Sequence, residues 1–219
     1  MTEIIGHRGL PTYFNDNSLT GIIASQEHSN AVEIDLRLTK DEEILLFHDA
    51  EIDGVSVPSR TLEELIMEFP EYNLKDHHLV SRHQLGNHPV FFEIKTDGLE
   101  QSQKSLLKRK ALSMAQPKDT IICFDWDLVF EIRNDTTSKY GIHIANEEQL
   151  FEAKSISMID KSMYFMVYAD LIEARVFDLP INKVVAWTVN DIHLAKRLIQ
   201  MEINGIITDI PEELITLLK

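Results

Sequence analysis

Ala31-Val32-Glu33-Ile34-Asp35-Leu36 is the stretch from which the fold of this chain can be read. It is a short apolar, β-rich run that carries two carboxylates at spacing i, i+2, so both leave the strand on one face. Runs of the same kind recur along the chain at 3–6, 89–95, 120–124, 140–144, 163–167, 183–188 and 205–208. Helical patterns lie between them, near 19–28, 62–69, 99–114, 128–133, 147–155, 171–177, 192–201 and 211–218. Strands that alternate with helices predict a parallel sheet with crossover helices. About eight such units in 219 residues predict an α/β fold, a single (β/α)8 TIM barrel rather than an open doubly wound sheet, with one domain over 1–219. Residues 44–47 read as an extra short strand, which makes a brief excursion after strand two. Ser18 and Asn190-Asp191 stand where helix N-caps are expected, and Pro211 falls in the first turn of the last helix.

Composition narrows the function. The formal net charge is −15, which repels polyanions and argues against nucleic-acid binding. A phosphate-bearing substrate would need local cations to overcome that field: a divalent metal, Arg or Lys. No apolar run approaches the roughly 20 residues of a membrane helix. The first residues, Met-Thr-Glu-Ile-Ile-Gly-His-Arg-Gly, lack the basic-then-apolar order of a signal peptide. With a lone cysteine, Cys123, these features point to a cytoplasmic protein.

In a parallel barrel the reacting groups stand at the C-terminal ends of strands and in the loops that follow. His7 and Arg8 follow strand one, Glu33 and Asp35 sit on strand two, and His48 and Asp49 follow the extra strand. Glu93 and Lys95 repeat the i, i+2 spacing on strand three, while Trp187, Asn190, Thr208 and Asp209 end strands seven and eight. Three carboxylates without cysteine partners suit a hard, oxygen-liking cation such as Mg²⁺ or Ca²⁺. Two histidines beside it can divide the acid and base roles, because imidazole titrates near neutrality. Arg8 and Lys95 add positive charge for a phosphate. Each piece alone is more often a surface strand face or an ion-pair partner than a metal site; their convergence at one mouth indicates metal-assisted phosphoryl chemistry.

Taken in order, these residues resemble the glycerophosphodiester phosphodiesterase family. The resemblance runs through His7-Arg8-Gly9, Asn17-Ser18, Val32-Glu33-Ile34-Asp35 and Leu38-Thr39-Lys40-Asp41. It continues through Phe47-His48-Asp49, Thr61-Leu62-Glu63-Glu64-Leu65, Phe92-Glu93-Ile94-Lys95, Trp187-Thr188-Val189-Asn190 and Gly205-Ile206-Ile207-Thr208-Asp209. It implies that Glu33, Asp35 and Glu93 are metal ligands and that His7 and His48 are the catalytic acid–base pair. It further implies that Arg8 and Lys95 contact phosphate, that Trp187 walls the substrate site, and that the substrate is a small-molecule phosphodiester.

Three departures from the family pattern stand out. Asp16 occupies a position usually held by Glu, so a contact made there must be rebuilt with a shorter side chain. Cys123-Phe124 replaces the usual Ser-Phe, and Cys123 reads as a packed residue rather than a nucleophile. The insertion that covers the substrate in many relatives is reduced to residues 50–60. That short cover keeps a lysophospholipase D, with an apolar groove around Trp187 and Tyr168, in view as an alternative substrate class. A non-catalytic binding barrel would be expected to have lost a histidine or a carboxylate, and none is missing.

Other chemistry-bearing residues receive plainer readings. His77, His78, His83 and His88 fall between helix two and strand three and are expected in a solvated loop on the opposite face of the barrel. Met158, Met163 and Met166 are expected to fill core gaps; Asp125 and Asp127, after strand four at the catalytic face, read as shaping the pocket, and Asp127 equally as acting at a helix N-terminus.

Overall fold

Strands buried on both faces read as near-continuous apolar runs, and such strands belong in the middle of a parallel sheet. The computed structural model describes residues 1–175 and 178–218. In chain order the first part comprises β1 (Glu3–Gly6), α1 (Leu19–Ser25), β2 (Ala31–Leu38), β3 (Ile44–Leu46), β4 (Glu51–Ile52), β5 (Val55–Ser56), α2 (Leu62–Glu68) and β6 (His78–Leu79). Then follow β7 (Val90–Ile94), α3 (Gln101–Met114), β8 (Thr120–Cys123), α4 (Trp126–Asp135), β9 (Lys139–Ile144) and α5 (Glu147–Ile159). The chain ends with β10 (Tyr164–Tyr168), α6 (Ala169–Arg175), β11 (Val184–Trp187), α7 (Ile192–Gln200), β12 (Gly205–Thr208) and α8 (Pro211–Leu214). The end of the helix expected over 171–177 lies at Val176 and Phe177, outside the described residues.

Among the described residues, the parallel strands run in the order β1-β12-β11-β10-β9-β8-β7-β2, and β1 also pairs with β2. That last pairing closes the sheet into a (β/α)8 barrel and excludes the open alternative. The expected excursion is present: β3 turns back antiparallel along β2, with Leu38 opposite Ile44 and Leu36 opposite Leu46. Thr39 makes the turn possible, because its hydroxyl accepts from the Glu43 N–H and its own N–H donates to the Glu43 carbonyl. Leu45, Ile52, Val57, Leu65 and Leu74 bury a small core of their own beneath the excursion. Asp41 ties it down by accepting from the Leu62 N–H, and Thr61 with Glu64 caps α2 reciprocally.

The alternation of side chains explains where the chemistry goes. Ile5, Ala31, Phe91, Ile122, Tyr164, Met166, Val185 and Ile207 form one cluster, drawn from strands all round the barrel, and fill its interior. Continuing each strand by steps of two reaches His7, Glu33, Asp35, Glu93, Trp187 and Asp209. The inward face therefore changes from hydrocarbon to polar groups toward the C-terminal ends. Ile4, Val32, Ile34, Phe92, Ile121 and Phe165, of the opposite parity, pack outward against the helices. Gly141 is inward too, and a Cβ there would meet the Tyr164 carbonyl oxygen at 2.8 Å, so the glycine makes room for Tyr164.

The caps fall as expected at Ser18, which accepts from the Gly21 N–H, and at Asp191, which accepts from the Leu194 N–H. The cap of α4 is Asp125, accepting from the Leu128 N–H, while Asp127 sits within the first turn. Met163 and Met166 are fully buried, but Met158 projects from α5 into solvent and fills no core gap. The histidine segment is not a solvated loop. Arg82 is buried against Asp119 and donates to the Gly86 carbonyl, which pins residues 82–90 to the barrel. His77 is buried with its Nδ1 3.1 Å from the Leu46 carbonyl oxygen, and His78 and His88 are half-buried. Only His83 of the four is exposed.

Candidate active site

Glu33 and Asp35 on β2 and Glu93 on β7 are buried, and ligand oxygens of the three lie within 4.8 Å of one another. Register brings them together: β2 and β7 are parallel with Asp35 opposite Glu93. Buried carboxylates repel one another and lose hydration, so each needs a partner. Asp35 is held by Asn17, whose side-chain NH₂ donates to Oδ2 at 2.7 Å and whose carbonyl oxygen accepts from the Asp35 N–H at 2.9 Å. Lys95 places Nζ 2.9 Å from Asp35 Oδ1 and also pairs with Glu93. Glu93 is held below the ordinary carboxylate range: burial opposes this, and His143 and Lys95 outweigh it.

Glu33 is the exception. Its Oε2 accepts from the Arg8 N–H at 3.2 Å, but its Oε1 is buried without a hydrogen-bond partner. Burial, reinforced by the Asp35 and Glu93 charges, pushes its carboxyl well above the usual value. An oxygen-only set with one lone pair unmet has the chemistry of a divalent-cation site, and the buried Lys95 supplies only one compensating charge. Arg8, in the left-handed region at φ 52°, directs its guanidinium toward Asp35 at 3.3 Å and toward Asp16 at 3.1 Å. The shorter Asp16 thus finds its partner in Arg8.

The two histidines flank this cluster and are oriented alike. His7 Nδ1 lies 2.6 Å from Asp209 Oδ1, and His48 Nδ1 lies 2.7 Å from Asp49 Oδ1. A carboxylate at Nδ1 favours the tautomer protonated there, which leaves Nε2 as the group that can exchange a proton. Asp209 is itself braced by the Asn190 side-chain NH₂ at 2.6 Å, while Asn190 Oδ1 accepts from the Asp209 N–H. The Asp209 carboxyl lies below its ordinary range; burial opposes the shift, and His7 and Asn190 outweigh it.

The sequence reading missed two residues. Arg37, the next inward position after Asp35, is buried and donates to the His48 carbonyl at 3.0 Å and to Asp97 Oδ2 at 2.9 Å, so it fixes the loop that carries His48. His143 on β9 is buried with its Nε2 3.3 Å from Glu93 Oε2. Its ring stacks on Phe124 at 4.1 Å and meets the edge of Trp187 at 5.1 Å. Their signal was parity: both fall on the inward register at the catalytic end. Trp187 donates from Nε1 to the Met166 carbonyl at 2.8 Å and packs with Phe124 and Tyr168 as an aromatic wall. Cys123 is buried, its thiol pushed up to about 12 by burial, which suits a packed residue and not a nucleophile.

A cavity of about 390 Å³ opens beside the cluster, lined by His48, Glu93, Lys95, Arg37, Lys104 and Phe124 among others. Asp125, besides capping α4, holds Lys104 at 2.8 Å and so positions a cation on its wall.

Residues 7–163 match the model of the glycerophosphoryl diester phosphodiesterase family. The chain belongs to that family, and is thereby an enzyme of the phosphodiesterase class. It is 25% identical to YhdW of Bacillus subtilis (strain 168), a candidate glycerophosphodiester phosphodiesterase, over 97% of this chain and 96% of that one. Among solved structures, it resembles a Thermotoga maritima glycerophosphodiester phosphodiesterase with TM-score 0.78 and 23% identity, covering 99% and 98% of the two chains. It also resembles an Oleispira antarctica phosphodiesterase in complex with its product sn-glycerol-3-phosphate, with TM-score 0.76, 15% identity and coverage of 100% and 97%. At these identities the two structures speak for the barrel fold. No described helix is long and apolar enough to cross a membrane.

Proposed function

We propose that this single-domain chain hydrolyses a glycerophosphodiester to an alcohol and glycerol phosphate. In this reading Glu33, Asp35 and Glu93 hold a divalent cation, Mg²⁺ or Ca²⁺, and His7 and His48 exchange protons with the reacting oxygens. The observation that carries it is a buried three-carboxylate cluster flanked by two histidines, each held at Nδ1 by its own aspartate. A bound divalent cation supplies positive charge that polarises the phosphodiester. The chain's own groups do the rest. One histidine Nε2 takes the proton of the attacking oxygen as that oxygen bonds to phosphorus. The other donates a proton to the alcohol oxygen as its bond to phosphorus breaks. Asp209 and Asp49 keep both rings facing the reaction, and Arg37 holds the His48 backbone in place. Arg8 and Lys95 supply charge for the phosphoryl oxygens, and Trp187 with Phe124 excludes water from one side.

The test is release of glycerol phosphate from glycerophosphocholine and glycerophosphoethanolamine with Mg²⁺, Ca²⁺ or EDTA. Turnover that EDTA abolishes and metal restores is the expected result; silence from folded, metal-loaded protein overturns the reading. A second substrate class is favoured by the half-exposed aromatic wall, where Tyr168 stands 5.3 Å from Trp187 and Phe124 is 41% exposed. Those rings could carry the acyl chain of a lysophospholipid, and cleavage of lysophosphatidylcholine in preference to glycerophosphocholine would move the substrate there without moving the site.

A further inference from the structure

The chemistry above makes no use of His143, although its ring is buried at the catalytic end of β9. Register explains how it reaches the carboxylate cluster. Ile122 of β8 lies opposite Glu93 on one side and opposite Gly141 on the other. His143 therefore stands two strands away from Glu93 and one inward step nearer the mouth. Its Nε2 comes within 3.3 Å of Glu93 Oε2, while Lys95 pairs with the other oxygen, Oε1. One donor-bearing side chain thus flanks each oxygen of that carboxylate. Phe124, the inward position after Ile122, touches both of them: it stacks on the His143 ring, and Lys95 Nζ lies 5.9 Å from its centroid.

The surroundings hold the imidazole still. Trp126 Nε1 donates to the His143 carbonyl at 2.9 Å, so the backbone is tied to α4. Phe124 lies over the ring with centroids 4.1 Å apart and planes 4° from parallel, and Trp187 meets it at 5.1 Å and 82°. Trp187 is fixed in turn by its bond to the Met166 carbonyl. Phe124 lines the first cavity and His143 lies behind it. Both ring nitrogens nevertheless lack a hydrogen-bond partner, and the approach to Glu93 is close enough for pairing without being aligned for a hydrogen bond. A buried polar ring left unsatisfied is costly, and stacking alone would be served as well by a phenyl ring. Because the imidazole is clamped on its face, its edge and its backbone, the Glu93 carboxylate is the partner that can turn into line.

We propose that His143 is a positioning residue for Glu93: its Nε2–H takes Oε2 as Lys95 takes Oε1, and fixes the carboxylate in the orientation in which it serves as a cation ligand. The inference rests on the metal-binding reading above and deepens it. His143 touches neither substrate nor cation and acts only through Glu93.

The test measures binding of Mg²⁺ and Ca²⁺ by calorimetry, which needs no turnover, in wild type, His143→Phe and His143→Gln. Phenylalanine keeps the stack on Phe124 and removes the donor, whereas the glutamine amide can stand where Nε2 stands. Loss of such a supporting contact costs about 10–100-fold in metal affinity, so that loss is expected in His143→Phe, with most of it restored in His143→Gln. The cation concentration that half-activates hydrolysis should rise by the same factor. If His143→Phe does not fold, His143→Asn replaces it with the same expectation, because its amide stops at the position of Nδ1. Unchanged cation affinity in the donor-free variant overturns the proposal. An equal loss in that variant and in His143→Gln overturns it too, since packing would then account for the effect. Cation binding without turnover of any diester overturns the hydrolase reading alone, and the affinity ratio still decides the role of His143. Absence of cation binding by the wild type overturns both.

Discussion

His7 and Asp209, 202 positions apart in sequence, meet at 2.6 Å between Nδ1 and Oδ1 where the first and last strands of the barrel lie side by side. The closure of the sheet thus assembles half of the proposed acid–base machinery, and the consequences can be measured.

Asp209→Asn replaces an obligate acceptor with a group that can present NH₂ to His7, which disfavours the productive tautomer. A loss of about 10²–10⁴ in kcat with KM little changed is expected, by analogy with the effect of the same exchange in a catalytic triad. The stability effect has a defined pH window. Asp209 titrates below its ordinary value in the folded chain, so its stabilisation is present above the unfolded value of about 3.9 and is lost as pH falls through the folded one. Urea titrations should show the wild type ahead of the variant at neutral pH, with the gap closing in acid; a gap constant down to pH 2 would contradict the assignment.

Glu33 has the opposite sign. Its raised carboxyl holds a proton in the folded chain where the unfolded chain has lost it, so metal-free stability falls as pH rises above about 4.3. Glu33→Gln should be more stable than wild type at neutral pH in EDTA and should lose that advantage in acid. In hundredfold excess over its Kd, Mg²⁺ or Ca²⁺ should stabilise the wild type by about 2.7 kcal/mol, roughly 5–10 °C in Tm, and the variant far less. Thermal melts with no cation-dependent shift in the wild type would remove the metal from the proposal.

Lys95 stands 2.9 Å from Asp35 and also pairs with Glu93, on a side chain 8% exposed. Lys95→Met takes from Asp35 and Glu93 the buried cation they share and should cost about 3–5 kcal/mol in EDTA, with part of the loss recovered on adding divalent cation. Equal stability of the two proteins in EDTA would mean that the carboxylates are neutralised by other means.

Arg37 touches the His48 carbonyl rather than the reacting groups, so it acts by position. Arg37→Lys loses the forked contact to His48 and Asp97 and should lower kcat by up to about 10²-fold, the scale of a misplacement near 1 Å. Metal-induced thermal stabilisation should survive in this variant, because no carboxylate of the cluster depends on Arg37; its loss would make the residue structural.

Cys123 should resist iodoacetamide at pH 8 in the native protein and react once the chain is unfolded, since its thiol is buried and pushed up to about 12. Native-state labelling, followed by mass spectrometry, would contradict its burial between β8 and the helices.

Much of this molecule was legible in one dimension because barrel strands impose a period of two and a fixed polarity. Ala31–Leu38 carries Val32, Ile34, Leu36 and Leu38 outward and Ala31, Glu33, Asp35 and Arg37 inward, so local sequence alone determined that carboxylates would gather at one end of a parallel sheet. The order of strands and helices, the excursion after β2 and the caps at Ser18 and Asp191 follow from equally local chemistry. Tertiary structure alone decided which groups are partners. His143 reads as one polar residue in an apolar strand until barrel closure sets it against Glu93, and Arg37 reads as a surface cation until the returning chain brings the His48 carbonyl to it. His77 looks solvated among polar neighbours, yet the core beneath the excursion draws its segment inward and buries Nε2 without a partner. The reason is the same in each case. Periodicity is set by the backbone within a few residues, whereas burial and electrostatic partnership depend on segments that meet only when the sheet closes.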